Sequence, residues 1–331
     1  MAGLASPAAA LAWLRTPQAI RARAGLVLAA ALRDELRHFA LDPGRLDPAA
    51  DYVVDTIRGN YPDLRIPYHS RWRHFAAGGR DRWAALAAEL HHVRPDDLAR
   101  MRFDLVVVSV LLDAGAGNAW RYAEPGTGAV LARSEGLAVA SLDLFRAGTL
   151  SARPDRPLRA DAAALIGLDE HTLGQAFQVT DDNTLGQAFQ VTDDNPLVGL
   201  AGRCELLSRL GRALTTKPEL FGASAPRIGG LFDHLAGQAG DRRLPASAIL
   251  TAVLEGFGDI WPGRIALQGV NLGDVGRHPT AATDDLTSEL VPFHKLSQWL
   301  AYSLIEPLED AGITVTDLDQ LTALAEYRNG G

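Results

Sequence analysis

The stretch VPFHKLSQWLAYSLIEPLEDAGITVTDLDQLTALAEYRNGG, Val291 to Gly331, decides how the chain reads. Its spacing predicts two helices. The first begins near Pro292, whose missing N–H costs nothing in an opening turn, and carries Phe293, Leu296, Leu300 and Leu304 on one side. The second is opened by Asp317 with Gln320 as capping partner and closed by Asn329, Gly330 and Gly331. Each helix holds a charge where the macrodipole disfavours it. Lys295 stands in a first turn and Glu326 in a last turn, an arrangement that costs about 0.3–1 kcal/mol each. Two readings stand at this point: solvated ends of no consequence, or a site. The company favours a site, because Lys295 shares a helical face with Gln298, Trp299 and Tyr302, and Tyr327 and Arg328 follow Glu326.

Outward from there, the chain continues to read as helices joined by short connections. Helix is expected from residue 6 to about 40, from Pro48 to Gly59, from Asp81 to His92 and from Ser134 to Phe145. Further helices are expected from Pro196 onward, over Leu231 to Gln238, and over Pro245 to Trp261. Phe103 to Leu112 has a strand's β-branched content but no alternation and no second strand to match, so a buried helix is the better reading. The fold class is therefore mainly α: one compact helical domain over 1–331, with N- and C-terminal lobes meeting loosely near 150–195. That boundary holds an identical tandem copy, TLGQAFQVTDDN at Thr172–Asn183 and Thr184–Asn195. It is too short for a solenoid and lacks EF-hand spacing, so a slipped duplication accounts for it.

Composition narrows the function. A hydrophobic share of 47% and a charged share of 22% are those of an ordinary globular chain, and a net charge of −8 argues against general nucleic-acid or anionic-membrane binding. No apolar run reaches the ~18 residues of a membrane span. Cys204 is the only cysteine, which removes internal disulfides and cysteine-rich metal sites and fits the cytoplasm. The nine histidines show neither HExxH nor HxH, and there is no P-loop and no GxSxG elbow, so neither metal nor cofactor is expected.

The remaining constellation is electrostatic. HSRWRHF places His69, Arg71, Arg73 and His74 around Trp72, with Tyr68 just before, in a loop read over Asn60 to Phe75. Guanidinium forks pair phosphate oxygens and rings stack on flat faces, which suits a small anionic or sugar-bearing ligand; a surface loop with snorkelling arginines is the competing account. Joined by Lys295 and Arg328 and faced by Glu326 or Asp274, the cluster has what glycosidic cleavage needs. Breaking a C–N or C–O bond at an anomeric carbon develops positive charge that a carboxylate stabilises.

PYHSRWRHF, DAGAGNAWRY, RSEGLAVAS, FQVTDDNPLVGLAGR, VPFHKLSQWLAYSLIEPL and EYRNGG together resemble the uracil-catabolism family of fungi and bacteria, the fourth-named component of the non-reductive uracil pathway. The resemblance covers nearly the whole chain, makes the first dodecapeptide the surplus copy, and implies relatives that continue past EYRNGG. More distantly, KLSQWL and EYRNGG resemble the KRAQ and DYRVPQ motifs of the queuosine salvage N-glycosidases, helical proteins related to DNA glycosylases. That similarity implies a DNA-glycosylase-like fold, with Lys295 in the substrate pocket and Glu326 as catalytic carboxylate where those proteins carry Asp, one methylene shorter. NLGD resembles their FRD element, which would make Asp274 a second acid. His294, Gln298, Tyr327, Arg328, His69, Arg71 and Trp72 complete the expected binding set. The implied substrate is ribosylurea or its 5′-phosphate, a small molecule, cleaved to urea and ribose or ribose phosphate. A metal-dependent amidohydrolase or deaminase on a ring-opened pyrimidine, and a non-catalytic nucleotide-binding pathway protein, are the alternatives.

Overall fold

The structure, a computed structural model, describes residues 4, 6–113, 118–168, 200–261 and 265–325. The tandem copy and the tail that bears Glu326, Tyr327 and Arg328 lie outside these residues.

At the centre runs helix α6, Pro95–Leu112, with α1 to α5 preceding it at Pro7–Leu14, Pro17–Leu32, Leu46–Asn60, Trp72–Phe75 and Arg82–Glu89. Pro95 opens α6 and Asp96 and Asp97 occupy its positive first turn. From Arg102 to Leu112 every residue is buried, the pattern of a helix enclosed on all sides, so the buried-helix reading of Phe103–Leu112 holds. Two helices lie against it. One is α7, Arg133–Arg146; the other is the last helix, Lys295–Asp310, called α13 below. The intervening helices are α8 (Ala162–Ile166), α9 (Leu200–Thr216), α10 (Pro218–Phe221), α11 (Gly230–Gln238) and α12 (Ala246–Phe257). Where α9 crosses α8 the backbones nearly touch. A Cβ at Gly211 would sit 2.7 Å from Ile166 N and 2.9 Å from Ala162 O, so only glycine fits. One hydrophobic cluster extends from Ile20 to Leu321, and a smaller one gathers Leu14, Leu272, Val275 and Leu290. Among the described residues no helix is long and apolar enough to cross a membrane.

The N-terminal helix expected over 6 to 40 is two helices, because Thr16 caps a new start by accepting from Ala19 N–H and Pro17 takes its first position. It also ends earlier, at Leu32. Strands, absent from the sequence reading, are present as four two-stranded pairs, β1–β2 (Arg121–Ala123, Val130–Ala132), β4–β5 (Ala266–Leu267, Val270–Asn271), β6–β7 (Val275–Arg277, Leu290–Pro292) and the parallel β3–β8 (Arg243–Pro245, Thr314–Thr316).

Two of these pairs reshape the C-terminal stretch. Pro292 pairs with Val275 as the last residue of β7, and His294 turns the chain through a left-handed φ of 47°, so α13 starts at Lys295. The second helix expected from Asp317 does not form in the described residues. Thr314–Thr316, β-branched throughout, pair with β3; Asp317 is left-handed and accepts from Thr316 Oγ1 instead of capping, and only a 3-10 turn, Leu318–Gln320, follows. Helix α13 nevertheless runs through Pro307. The carbonyl that proline leaves without a partner, Ser303 O, accepts from Trp72 Nε1 at 2.8 Å.

Candidate functional site

The site is built where the His69–Phe75 segment meets α13. Arg71, the N-cap of the one-turn helix α4, and His74 inside it are three residues apart and share one side; Trp72 and Phe75 share the other and enter the core. Trp72 is therefore a structural residue, with its indole N–H spent on Ser303 O and its faces against Phe75, Trp83 and the Arg102 guanidinium. It is not available as the ligand-stacking ring that the sequence suggested.

Arg71 is wholly enclosed. Its backbone N–H donates to Ser303 Oγ at 3.0 Å, its Nε to Ser109 Oγ at 2.7 Å and one terminal nitrogen to Ser109 O at 3.0 Å. The other pairs with Asp113 at 2.6 Å, and Ser141 Oγ lies 2.6 Å from Ser109 Oγ behind it. Burial lowers the Arg71 pKa from its usual value and Asp113 works in the opposite direction, as expected of a desolvated but paired cation. Fully buried and bonded to Ser109 and Asp113, Arg71 is held in the wall of the site.

That wall is Trp299. The Arg71 guanidinium lies 5.6 Å from its ring centre, His69 stacks on it at 6.1 Å and His74 meets it edge-on at 5.7 Å. Two polar atoms in this cluster, Trp299 Nε1 and His74 Nδ1, are buried without a hydrogen-bond partner. Leaving such an atom unpaired costs about 1–3 kcal/mol, and these two belong to rings that meet edge to face in one cluster. Asp113 and Glu135 supply negative potential at His74, Arg71 and His69 positive.

Lys295 lies one turn before Trp299 on the same face of α13. Asp274 is brought to it: its carboxylate accepts from Lys295 N–H at 3.0 Å and its carbonyl from Phe293 N–H and His294 N–H, so Asp274 caps α13 from another segment. The carboxylate also offsets the charge that made Lys295 look misplaced. Gln298 is fully buried and has a different task from ligand contact. Its Oε1 accepts from both Thr322 N–H and Thr322 Oγ1 while Tyr302 OH donates to Thr322 O, which fastens the C-terminal segment to α13 four residues before Glu326. Gln298→Ala is expected to cost about 1–3 kcal/mol in chemical denaturation, with the buried Thr322 groups left unpaired. His294 is likewise enclosed, its Nε2 bonded to Leu14 O at 2.9 Å. Among the described residues no group of three or more His, Cys, Asp or Glu is placed to hold a metal ion.

His74 and His294 both titrate below the ordinary imidazole range. Burial is the main cause in each, with the Arg71 charge adding to it at His74 and the Leu14 carbonyl opposing it at His294. Below pH 6.5 the unfolded chain takes up protons at these residues that the folded chain refuses. Stability is therefore expected to fall as pH drops below 6.5, by up to about 1.4 kcal/mol per pH unit for each histidine. Guanidinium unfolding at pH 7 and pH 5.5 measures this, and a His294→Gln variant should show a shallower slope.

Ser109, Asp113 and Ser141 carry no ligand signal in the sequence, whereas His74 stands in the HSRWRHF cluster and Trp299 on the face of Lys295. The available signal was the three-residue spacing of Arg71 and His74, legible once α4 is recognised as a helix.

Comparison with known proteins places the chain. A family described as "Protein of unknown function (DUF1688)" matches residues 13–331. "Uracil catabolism protein 4" of Lachancea kluyveri is 37% identical over 310 residues, 89% of this chain and 68% of that protein. "Protein urg3" of Schizosaccharomyces pombe is 37% identical over 326 residues, 97% of this chain and 75% of that one. No solved structure matches. The chain thus belongs to the DUF1688 family and is a homologue of the fungal uracil catabolism protein 4.

Proposed function

We propose that the protein is a hydrolase of uracil catabolism that cleaves the N-glycosidic bond of ribosylurea or its 5′-phosphate. The observation that carries this reading is the pair of unpartnered buried atoms, Trp299 Nε1 and His74 Nδ1, on an aromatic wall one helical turn from Lys295. Urea is flat and offers a carbonyl acceptor and N–H donors. The indole N–H donates to the carbonyl, and a neutral His74, as its lowered pKa favours, accepts at Nδ1 from a urea N–H.

In the reaction the C1–N bond breaks with its electron pair passing to nitrogen. Water adds to C1, and the proton it loses ends on the departing urea. Positive charge builds on the ribose ring as the bond lengthens, and Glu326, four residues beyond the fastened Thr322, is assigned to stabilise it and to orient the water. Asp274 sets the start of α13 and with it the direction of Lys295. Lys295, Tyr327 and Arg328 are assigned to bind the sugar or its phosphate, with His69 on the exposed rim. The similarity of KLSQWL and EYRNGG to the queuosine salvage enzymes supports these roles and a DNA-glycosylase-like helical arrangement.

The test is a urea-release assay on ribosylurea and on its 5′-phosphate, with intact uridine as control. Release from either ureido-riboside and none from uridine supports the reading. Absence of release from both overturns it.

A further inference from the structure

From Ala31 to His69 not one residue is buried, although the segment contains the whole of α3. A solitary helix of 15 residues is marginal in water unless an apolar face is covered. Here that face is well formed and bare. Leu46, Ala50, Val53 and Ile57 make one stripe with Val54 beside it, while Asp47, Asp51, Asp55 and Arg58 keep to the other side. In the segments that flank it in sequence, Leu28, Leu32, Phe39, Leu64 and Ile66 are each more than half exposed. Single chains seldom leave so dense a run of large apolar side chains in solvent.

We propose that α3 and its flanking segments are a dimerisation arm, covered by the same arm of a second copy of this chain in a two-fold antiparallel pair. Two arguments choose this occupant. With Tyr52 set aside because it lies on the far side of α3, the exposed apolar side chains between residues 28 and 66 offer an area on the order of the ~800 Å² per partner that a stable interface buries. The charges are also self-complementary. Asp47 and Arg58 lie on the same edge of the stripe near opposite ends of α3, so an antiparallel two-fold sets each Asp47 against the other copy's Arg58 and repeats the pair by symmetry. An anionic membrane surface suits the arm less well, since the helix carries three aspartates and one arginine.

Sedimentation equilibrium on the full chain at tens of micromolar tests this, independently of the activity proposed above. The expected mass is twice the 35.4 kDa of one chain. Val53→Asp with Ile57→Asp should give a folded monomer that loses at most the helical signal of the 15 residues of α3 and whose melting no longer depends on protein concentration, because neither residue belongs to the core. Asp47→Arg should weaken the dimer at least tenfold, and adding Arg58→Asp to the same chain should restore it. A monomeric wild-type chain, or a dimer that Val53→Asp with Ile57→Asp leaves intact, overturns the proposal.

Discussion

Glu326→Gln is expected to lower urea release from ribosylurea or its 5′-phosphate by about 10²–10³-fold, the ~2.7–4 kcal/mol that one preorganised charge contributes to a transition state. The substitution keeps shape and hydrogen bonding and removes only the negative charge. In the ground state the ribose ring is neutral, so little binding is lost. The full effect is therefore expected in kcat, with KM within about threefold of wild type. Asp274→Asn should behave differently. That carboxylate accepts from Lys295 N–H at the start of α13, so its loss weakens a cap, about 0.5–2 kcal/mol of stability, and loosens Lys295. A kcat that survives Glu326→Gln would remove this residue from the mechanism.

Arg71→Met is expected to be the most destabilising single change at the site, costing about 3–5 kcal/mol in guanidinium denaturation, because it leaves Asp113 enclosed without its cation and Ser109 without its donor. Against a total of about 5–15 kcal/mol for a typical fold, that is a large share. The cost belongs mostly to the orphaned partner. Adding Asp113→Asn to Arg71→Met should therefore recover about half of it, whereas independent contributions would add. His69→Ala, on the exposed rim of the same wall, should leave stability within about 0.5 kcal/mol.

How much of this was legible in the sequence depended on period and length. Helices α6, α7, α11 and α12 were readable because a helical repeat over many residues leaves little choice, and α6 read correctly as buried for the same reason. Strands of two or three residues have no period to read. Thr314–Thr316 and Leu290–Pro292 consequently passed for helix margins, and both ends of the C-terminal helices were misplaced with them. At the candidate site, residue type singled out HSRWRH, Lys295 and Asp274, and the structure sets Asp274 against Lys295 N–H and the HSRWRH rings and cation against Trp299. It could not say which way each side chain faced. Trp72 is claimed by the carbonyl that Pro307 releases, Gln298 by Thr322 and His294 by Leu14, each a partner distant in sequence. The unpaired atoms of Trp299 and His74 are visible only when the contacts of the whole wall are known.

The central claim, cleavage between sugar and urea, is tested most directly by following ribosyl-[¹³C]urea with the protein by carbon NMR. Cleavage of the N-glycosidic bond delivers the label as intact free urea with an equal amount of ribose, and that is the expected spectrum. Label appearing as bicarbonate with release of ammonia would place the broken bond within the urea group and contradict the account, as would a substrate that binds and stays unchanged.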